Sequence, residues 1–146
     1  MTVDVTADIV ITRPVAEVAV YAGDPSNAPT WYRRISSAQW LTEPPLRLGS
    51  RITFRARFMG KDLVYTYEVV QFTPGERMTM RSAEGPFPMN TVYTWHAVGS
   101  QVTHMTLRNH GEPAGFSKLM APLMRFAMKR AMNQDLAALK ALLESR

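Results

Sequence analysis

Residues 51–82 read RITFRARFMGKDLVYTYEVVQFTPGERMTMRS, and the alternation in this stretch decides the fold. Apolar and polar side chains exchange places along it with the two-residue period of strands that bury one face. Gly60-Lys61 suits a two-residue turn with glycine at its first central position. That turn sets Phe58 opposite Leu63, Ala56 opposite Tyr65, Phe54 opposite Tyr67 and Ile52 opposite Val69. These eight residues share one face, while Arg51, Arg55, Arg57, Thr66 and Glu68 share the other. A second turn around Pro74-Gly75 brings Val69 opposite Met80 and Glu68 opposite Arg81, which extends the apolar face and gives the outer face an opposite-charge pair. A sheet with so broad an aromatic and methionine face has to be covered, either tightly or over a cavity.

The flanking segments supply the cover. Residues 3–12 are rich in β-branched residues and predict a strand. Val15–Ala22 predicts a short helix ending at Gly23, and Asp24-Pro25 predicts an N-cap and first-turn proline for a second short helix carrying Trp31 and Tyr32. Ile35–Leu41 is a strand broken by Pro44-Pro45. After a connector at Gly85-Pro86-Phe87-Pro88, Met89–Val98 is a strand, and a three-residue loop at Gly99-Ser100-Gln101 pairs Trp95 with Met105, Tyr93 with Leu107 and Thr91 with Asn109. The same loop pairs His96 with His104 on the opposite face. From Phe116 to Glu144 the period becomes helical, with Met124, Met128, Met132, Leu136, Leu139 and Leu143 in one stripe. Pro122 predicts a kink or a fresh helix start near Ala121. The first half of this helix is apolar almost all round and must be enclosed by protein or touch a ligand or membrane. Strand, two short helices, six antiparallel strands and a long helix make an α+β chain.

Composition bounds the function. The 146 residues suit one domain and can bury roughly 68–70% of the unfolded chain's surface. With 46% hydrophobic and 20% charged residues the chain is globular rather than disordered. It has no cysteine, hence no disulfide framework or thiolate metal site, and no 18-residue apolar run or signal-peptide pattern, so a cytoplasmic protein is expected. The net charge of +5 is spread along the chain without a run of five or more like charges, which favours solvated faces over nucleic acid. Arg51, Arg55 and Arg57 form a basic stripe, but the aromatics of that strand face the other way. No nucleophile elbow, phosphate loop or HExxH spacing occurs, so neither a metal nor another cofactor is expected.

Three pieces of the chain carry a family resemblance: Arg13-Pro14-Val15-Ala16-Glu17-Val18 with Gly23-Asp24-Pro25 and Trp31; Trp95-His96-Ala97-Val98-Gly99-Ser100-Gln101-Val102-Thr103; and Leu119-Met120-Ala121-Pro122-Leu123-Met124 with Asp135-Leu136-Ala137-Ala138-Leu139-Lys140. In these the chain resembles the START/Bet v 1-like (SRPBCC) superfamily, in its polyketide cyclase/dehydrase-type branch. The resemblance implies one helix-grip domain over residues 1–146, with a curved seven-stranded antiparallel sheet wrapped around a long C-terminal helix and a cavity between them. It also implies binding of a lipid, polyketide, aromatic or other hydrophobic small molecule, or a cyclase/dehydrase-type reaction on such a ligand.

Candidate ligand-binding residues follow from the inward faces. The strands contribute Phe54, Phe58, Tyr65, Tyr67 and Met80, and later Tyr93, Trp95 and Asn109; the helices contribute Trp31, Met120 and Met124. Ala56 between two phenylalanines leaves space, buried tyrosine tips need partners, and the methionines give an adaptable lining. Asn109 could orient a ligand carbonyl or hydroxyl. Asp135 interrupts the helix stripe, where an ion pair or a surface position near the helix end is expected. His110 with Glu112 is expected in the loop before the last helix. No catalytic residue is carried over. The basic, methionine-rich helix leaves contact with a membrane surface open, as are the monomer and the homodimer.

Overall fold

The computed structural model describes residues 2–85, 88–112 and 118–146. Strand β1 (Val3–Ile11) is followed by helix α1 (Val15–Gly23), a 3-10 turn at Pro25–Asn27 and a short helix α2 (Ala28–Trp31). Six strands follow: β2 (Ile35–Trp40), β3 (Arg51–Phe58), β4 (Lys61–Thr73), β5 (Arg77–Glu84), β6 (Met89–Gly99) and β7 (Val102–Gly111). A 3-10 turn at Lys118–Met120 leads into helix α3 (Ala121–Glu144). Pro122 lies in the first turn of α3, so the helix starts afresh there. The expected helix start at Phe116 and the Pro86-Phe87 part of the connector lie outside the described residues. The strands form one antiparallel sheet in the order β1-β7-β6-β5-β4-β3-β2, curled around α3 as a half-barrel, which is the helix-grip fold. The first strand is thus zipped onto the last, and β2 is left as the other edge.

Facing followed the two-residue period, but one register did not follow the turn expected for it. Phe58 lies opposite Lys61, Ala56 opposite Leu63, Phe54 opposite Tyr65 and Ile52 opposite Tyr67. The central turn residues are Met59 and Gly60, with φ of 50° and 77°, so a non-glycine residue takes the left-handed position that a glycine-first turn would have avoided. A two-residue slip leaves every side chain on its expected face. The outer face explains the choice. In this register Arg57 meets Asp62 at 3.2 Å, the Thr53 and Thr66 hydroxyls meet at 2.9 Å, and Arg51 meets Glu68 at 3.7 Å. The β4–β5 pairing (Val69 with Met80, Glu68 with Arg81) and the β6–β7 pairing (Trp95 with Met105, His96 with His104) are as read from the sequence. His110 is part of β7, opposite Asp4 and Asn90, rather than in the following loop.

The C-terminal half of α3 is fastened to β1 and its connection to α1. Leu136, Leu139 and Leu143 are fully buried against Val3, Ile11 and Leu107 in one core. At the rim, the Lys140 ammonium donates to the Val10 carbonyl at 2.7 Å and pairs with Glu144 at 2.6 Å. Glu144 in turn accepts the Thr12 N–H at 2.7 Å, and Arg13 donates to the carbonyls of Glu144 and Arg146. The other half is held less closely. Met124 is buried, but Leu119, Leu123 and Phe126 are exposed, so the protein does not enclose this apolar segment. No helix among the described residues is long and apolar enough to cross a membrane.

Gly111 closes the β6–β7 end of the sheet by close approach. A Cβ there would lie 2.2 Å from the Pro88 carbonyl oxygen and 2.6 Å from the Met89 sulfur. The carbonyl is backbone and cannot rotate away. Gly111→Ala should therefore destabilise the fold by at least about 2 kcal/mol, seen as a lower urea midpoint at unchanged m-value.

Candidate functional site

A cavity of about 190 Å³ lies between the sheet and the less tightly held half of α3. Its floor is the inward face of β3 and β4, where Phe54 and Phe58 alternate with Ala56, and Leu63, Tyr65 and Tyr67 stand on the neighbouring strand. Met80, Met89 and Tyr93 continue the wall across β5 and β6, and α3 closes it with Met124, Met128, Ala131 and Met132. Small side chains on both walls, Ala56 on the sheet and Ala131 on the helix, keep helix and floor from meeting there.

Of the residues singled out from the sequence, Phe54, Phe58, Tyr65, Tyr67, Met80, Tyr93, Asn109 and Met124 stand on this wall. Trp31, Trp95 and Met120 do not. Trp31 is buried with its ring 4.0 Å from that of Tyr32, and Trp95 stacks on Tyr93 at 5.9 Å with its far edge against Gly23. Both indoles back the wall instead of lining it, and their N–H groups find no acceptor among the described residues. Alternation placed Trp95 on the right face. What alternation could not show is that α1 already covers that end of β6. Met120 lies in the 3-10 turn that precedes α3.

The wall also holds residues that the sequence reading did not select: Tyr32, Arg34, Thr91 and Asp135. The polar ones form two short chains. The Tyr32 and Tyr93 hydroxyls meet at 2.5 Å. The Thr91 hydroxyl, which lies beside Tyr67 on the wall, donates to Asn109 Oδ1 at 2.6 Å. Burial pushes Tyr67 up to about 12. It also raises Tyr32, Tyr65 and Tyr93 well above the ordinary phenol value, with the Asp135 charge adding to the shift of Tyr32 and Tyr93. At neutral pH all four are uncharged hydroxyls, able to donate to a carbonyl and unable to act as phenolate bases.

Asp135 is the titratable exception. It is buried and makes no ion pair among the described residues, so neither the ion pair nor the surface position expected for it is found; its Oδ1 accepts the Arg33 backbone N–H at 2.9 Å. Burial pushes it up to about 6, with that N–H and the charges of Arg34 and Arg33 pulling the other way. A carboxyl that binds its proton more tightly folded than unfolded contributes stability that is full below about pH 4 and is lost as the pH rises through about 6. The loss is on the order of 3 kcal/mol. Asp135→Asn keeps an oxygen for the Arg33 N–H and removes the charge. In thermal melts from pH 4 to 7 the variant should gain on the native protein as the pH rises, and be the more stable of the two at pH 7.

A family model described as "Polyketide cyclase / dehydrase and lipid transport" matches residues 2–144. Among solved structures, the chain is similar to TTHA0849 from Thermus thermophilus, at 20% identity over 98% of this chain and 99% of that one, with a TM-score of 0.82. It is similar to the Zhui aromatase/cyclase from Streptomyces sp. R1128 at 14% identity, over 100% and 96% of the two chains, with a TM-score of 0.83. A START superfamily protein from Mycobacterium smegmatis shares 12% identity over 97% of each chain, also with a TM-score of 0.83. Identities this low carry the fold and not the activity. A search of curated proteins gives no significant match. The match over nearly the whole chain, on a seven-stranded sheet curled around one helix, decides the family: the chain belongs to the polyketide cyclase/dehydrase and lipid transport family.

Proposed function

We propose that this protein binds a hydrophobic small molecule, aromatic or polyketide-like, in the cavity between sheet and α3. The observation that carries this reading is a hollow, almost wholly apolar wall with a few aligned hydroxyls. An ordinary core would close such a space, because a void forfeits dispersion contacts on every side. Filling it with ligand surface recovers them, at about 25 cal/mol per Å² of apolar area removed from water before ordering costs. Size narrows the ligand. A cavity near 150 Å³ takes benzene, so one of about 190 Å³ accepts one or two fused rings. A longer molecule displaces methionine side chains, which are flexible, or projects through the mouth. Tyr93, paired with Tyr32, and Asn109, paired with Thr91, would orient a ligand oxygen.

Asp135 favours a second reading, a cyclase/dehydrase-type enzyme on the same ligand. A carboxyl held near pH 6 on the cavity wall is poised to exchange a proton at neutral pH. Neutral tyrosine hydroxyls beside it would steady the oxygen of a developing enolate. Asp135→Asn separates the two readings: in the enzyme it retains ligand and loses turnover of a linear poly-β-ketone, and in a carrier the native protein turns nothing over.

Native mass spectrometry of freshly purified protein should show an excess mass that is lost on denaturation. Ala56→Phe, which fills the floor, should lower the bound fraction and weaken binding of a neutral naphthalene probe at least about tenfold. Unweakened binding in that variant would place the ligand elsewhere.

A further inference from the structure

A second depression adjoins the cavity and has the opposite character. Its rim carries four guanidinium groups: Arg33 and Arg34 from the link between α2 and β2, Arg57 near the end of β3, and Arg130 from α3. Ser36 and Gln134 add neutral polar groups, and Met59 and Gly60 of the β3–β4 turn complete it. The cleft lies where the half-barrel is open, between the unpaired β2 edge and the middle of α3, because α3 is fastened along β1 at the opposite edge. Arg34 belongs to both linings and joins cavity to cleft.

Like charges gathered in one place repel, and the described residues do little to balance them. Arg57 pairs with Asp62 at 3.2 Å, in an exposed contact. Arg34 donates to Gln134 at 3.4 Å, a neutral partner. Among the described residues no carboxylate lies within ion-pair distance of Arg33, Arg34 or Arg130. Asp135 attracts Arg33 and Arg34 through space but makes no ion pair with either; its Oδ1 accepts the Arg33 backbone N–H, and its elevated pKa leaves it partly protonated near pH 6. Guanidinium groups carry five donors each and match carboxylate, phosphate or sulfonate oxygens in pairs. A cluster of them beside a low-dielectric cavity is an anion site with an apolar annex.

We propose that the ligand is an amphiphile, with its apolar body in the cavity and an anionic group held in this cleft by Arg34 with Arg33, Arg57 and Arg130. The inference rests on the cavity being a binding site and adds the head-group chemistry. It also accounts for the size of the cavity: about 190 Å³ need house only the apolar body, because the charged end stays outside it.

Two fluorescent probes that differ by one group test it: 8-anilinonaphthalene-1-sulfonate and its neutral counterpart N-phenyl-1-naphthylamine. The native protein should bind the sulfonate at least about tenfold tighter at low salt, the scale of charge-assisted hydrogen bonds, with the advantage shrinking as salt rises. Arg34→Gln, and separately the pair Arg33→Gln with Arg130→Gln, should weaken the sulfonate about tenfold more than the amine. Arg34→Lys should restore part of the difference, which guards against a variant that merely folds poorly. Equal affinity for the two probes overturns the head-group assignment and leaves the cavity reading standing. A sulfonate preference that survives both glutamine variants also overturns it, because the anion then sits elsewhere. Binding of inorganic phosphate with no sulfonate advantage overturns it too, as a free-anion site unconnected to the cavity. Failure of both probes and of naphthalene itself to bind overturns the cavity reading.

Discussion

The structure depends on a mismatch of widths. Seven strands about 4.8 Å apart span roughly 29 Å if laid flat, whereas a helix with its side chains is about 10–12 Å across. One helix cannot cover such a sheet. The sheet therefore curls, β1 closing on β7 and carrying its own edge round to meet α3. That meeting is made tight at one end by Leu136, Leu139 and Leu143, with Lys140, Glu144 and Arg13 around the rim. Because the helix is committed to β1, the opposite edge at β2 is not covered in the same way. The hollow and its mouth follow from that asymmetry.

Polar groups inside the hollow are arranged so that few are left without partners. Tyr32 with Tyr93, and Thr91 with Asn109, satisfy one another. A buried hydroxyl without a partner costs on the order of 1–3 kcal/mol, so these pairings let polar tips face an apolar space. Asp135 is treated differently: one backbone N–H is not enough to keep a buried carboxylate at its ordinary pKa. Arg33, whose backbone N–H Asp135 accepts, and Arg34, which stands on the cavity wall, both line the cationic cleft.

Much of the architecture was legible because strand alternation is robust. The β3–β4 register was misread by two residues, yet Phe54, Ala56, Tyr65 and Tyr67 all kept their faces. The cue for the true register was present in the charges and hydroxyls. Arg57, Thr53 and Arg51 find Asp62, Thr66 and Glu68 only if the turn is Met59-Gly60, at the expense of a methionine with positive φ. The site was legible in part. Eight candidates stand on the cavity wall, but Trp95 is packed beneath α1 and Trp31 belongs to α2 itself, so neither lines the hollow. Asp135 was visible as a break in the helix stripe, but its burial was not, because burial depends on the α2–β2 link lying over it.

The sequence by itself determined the order of elements, the two faces of β3 to β7, a break in the helical segment near Ala121 and the kinship with the polyketide cyclase/dehydrase and lipid transport family. These rest on local periodicity, turn residues and motif, all of which act over a few positions. Tertiary structure alone decided where the hollow lies and what surrounds its mouth. Arg34 and Gln134 are 100 positions apart and meet only because α3 docks on β1 and leaves the β2 edge open. No period or spacing encodes that meeting, since it is set by how one helix fits a sheet too wide for it.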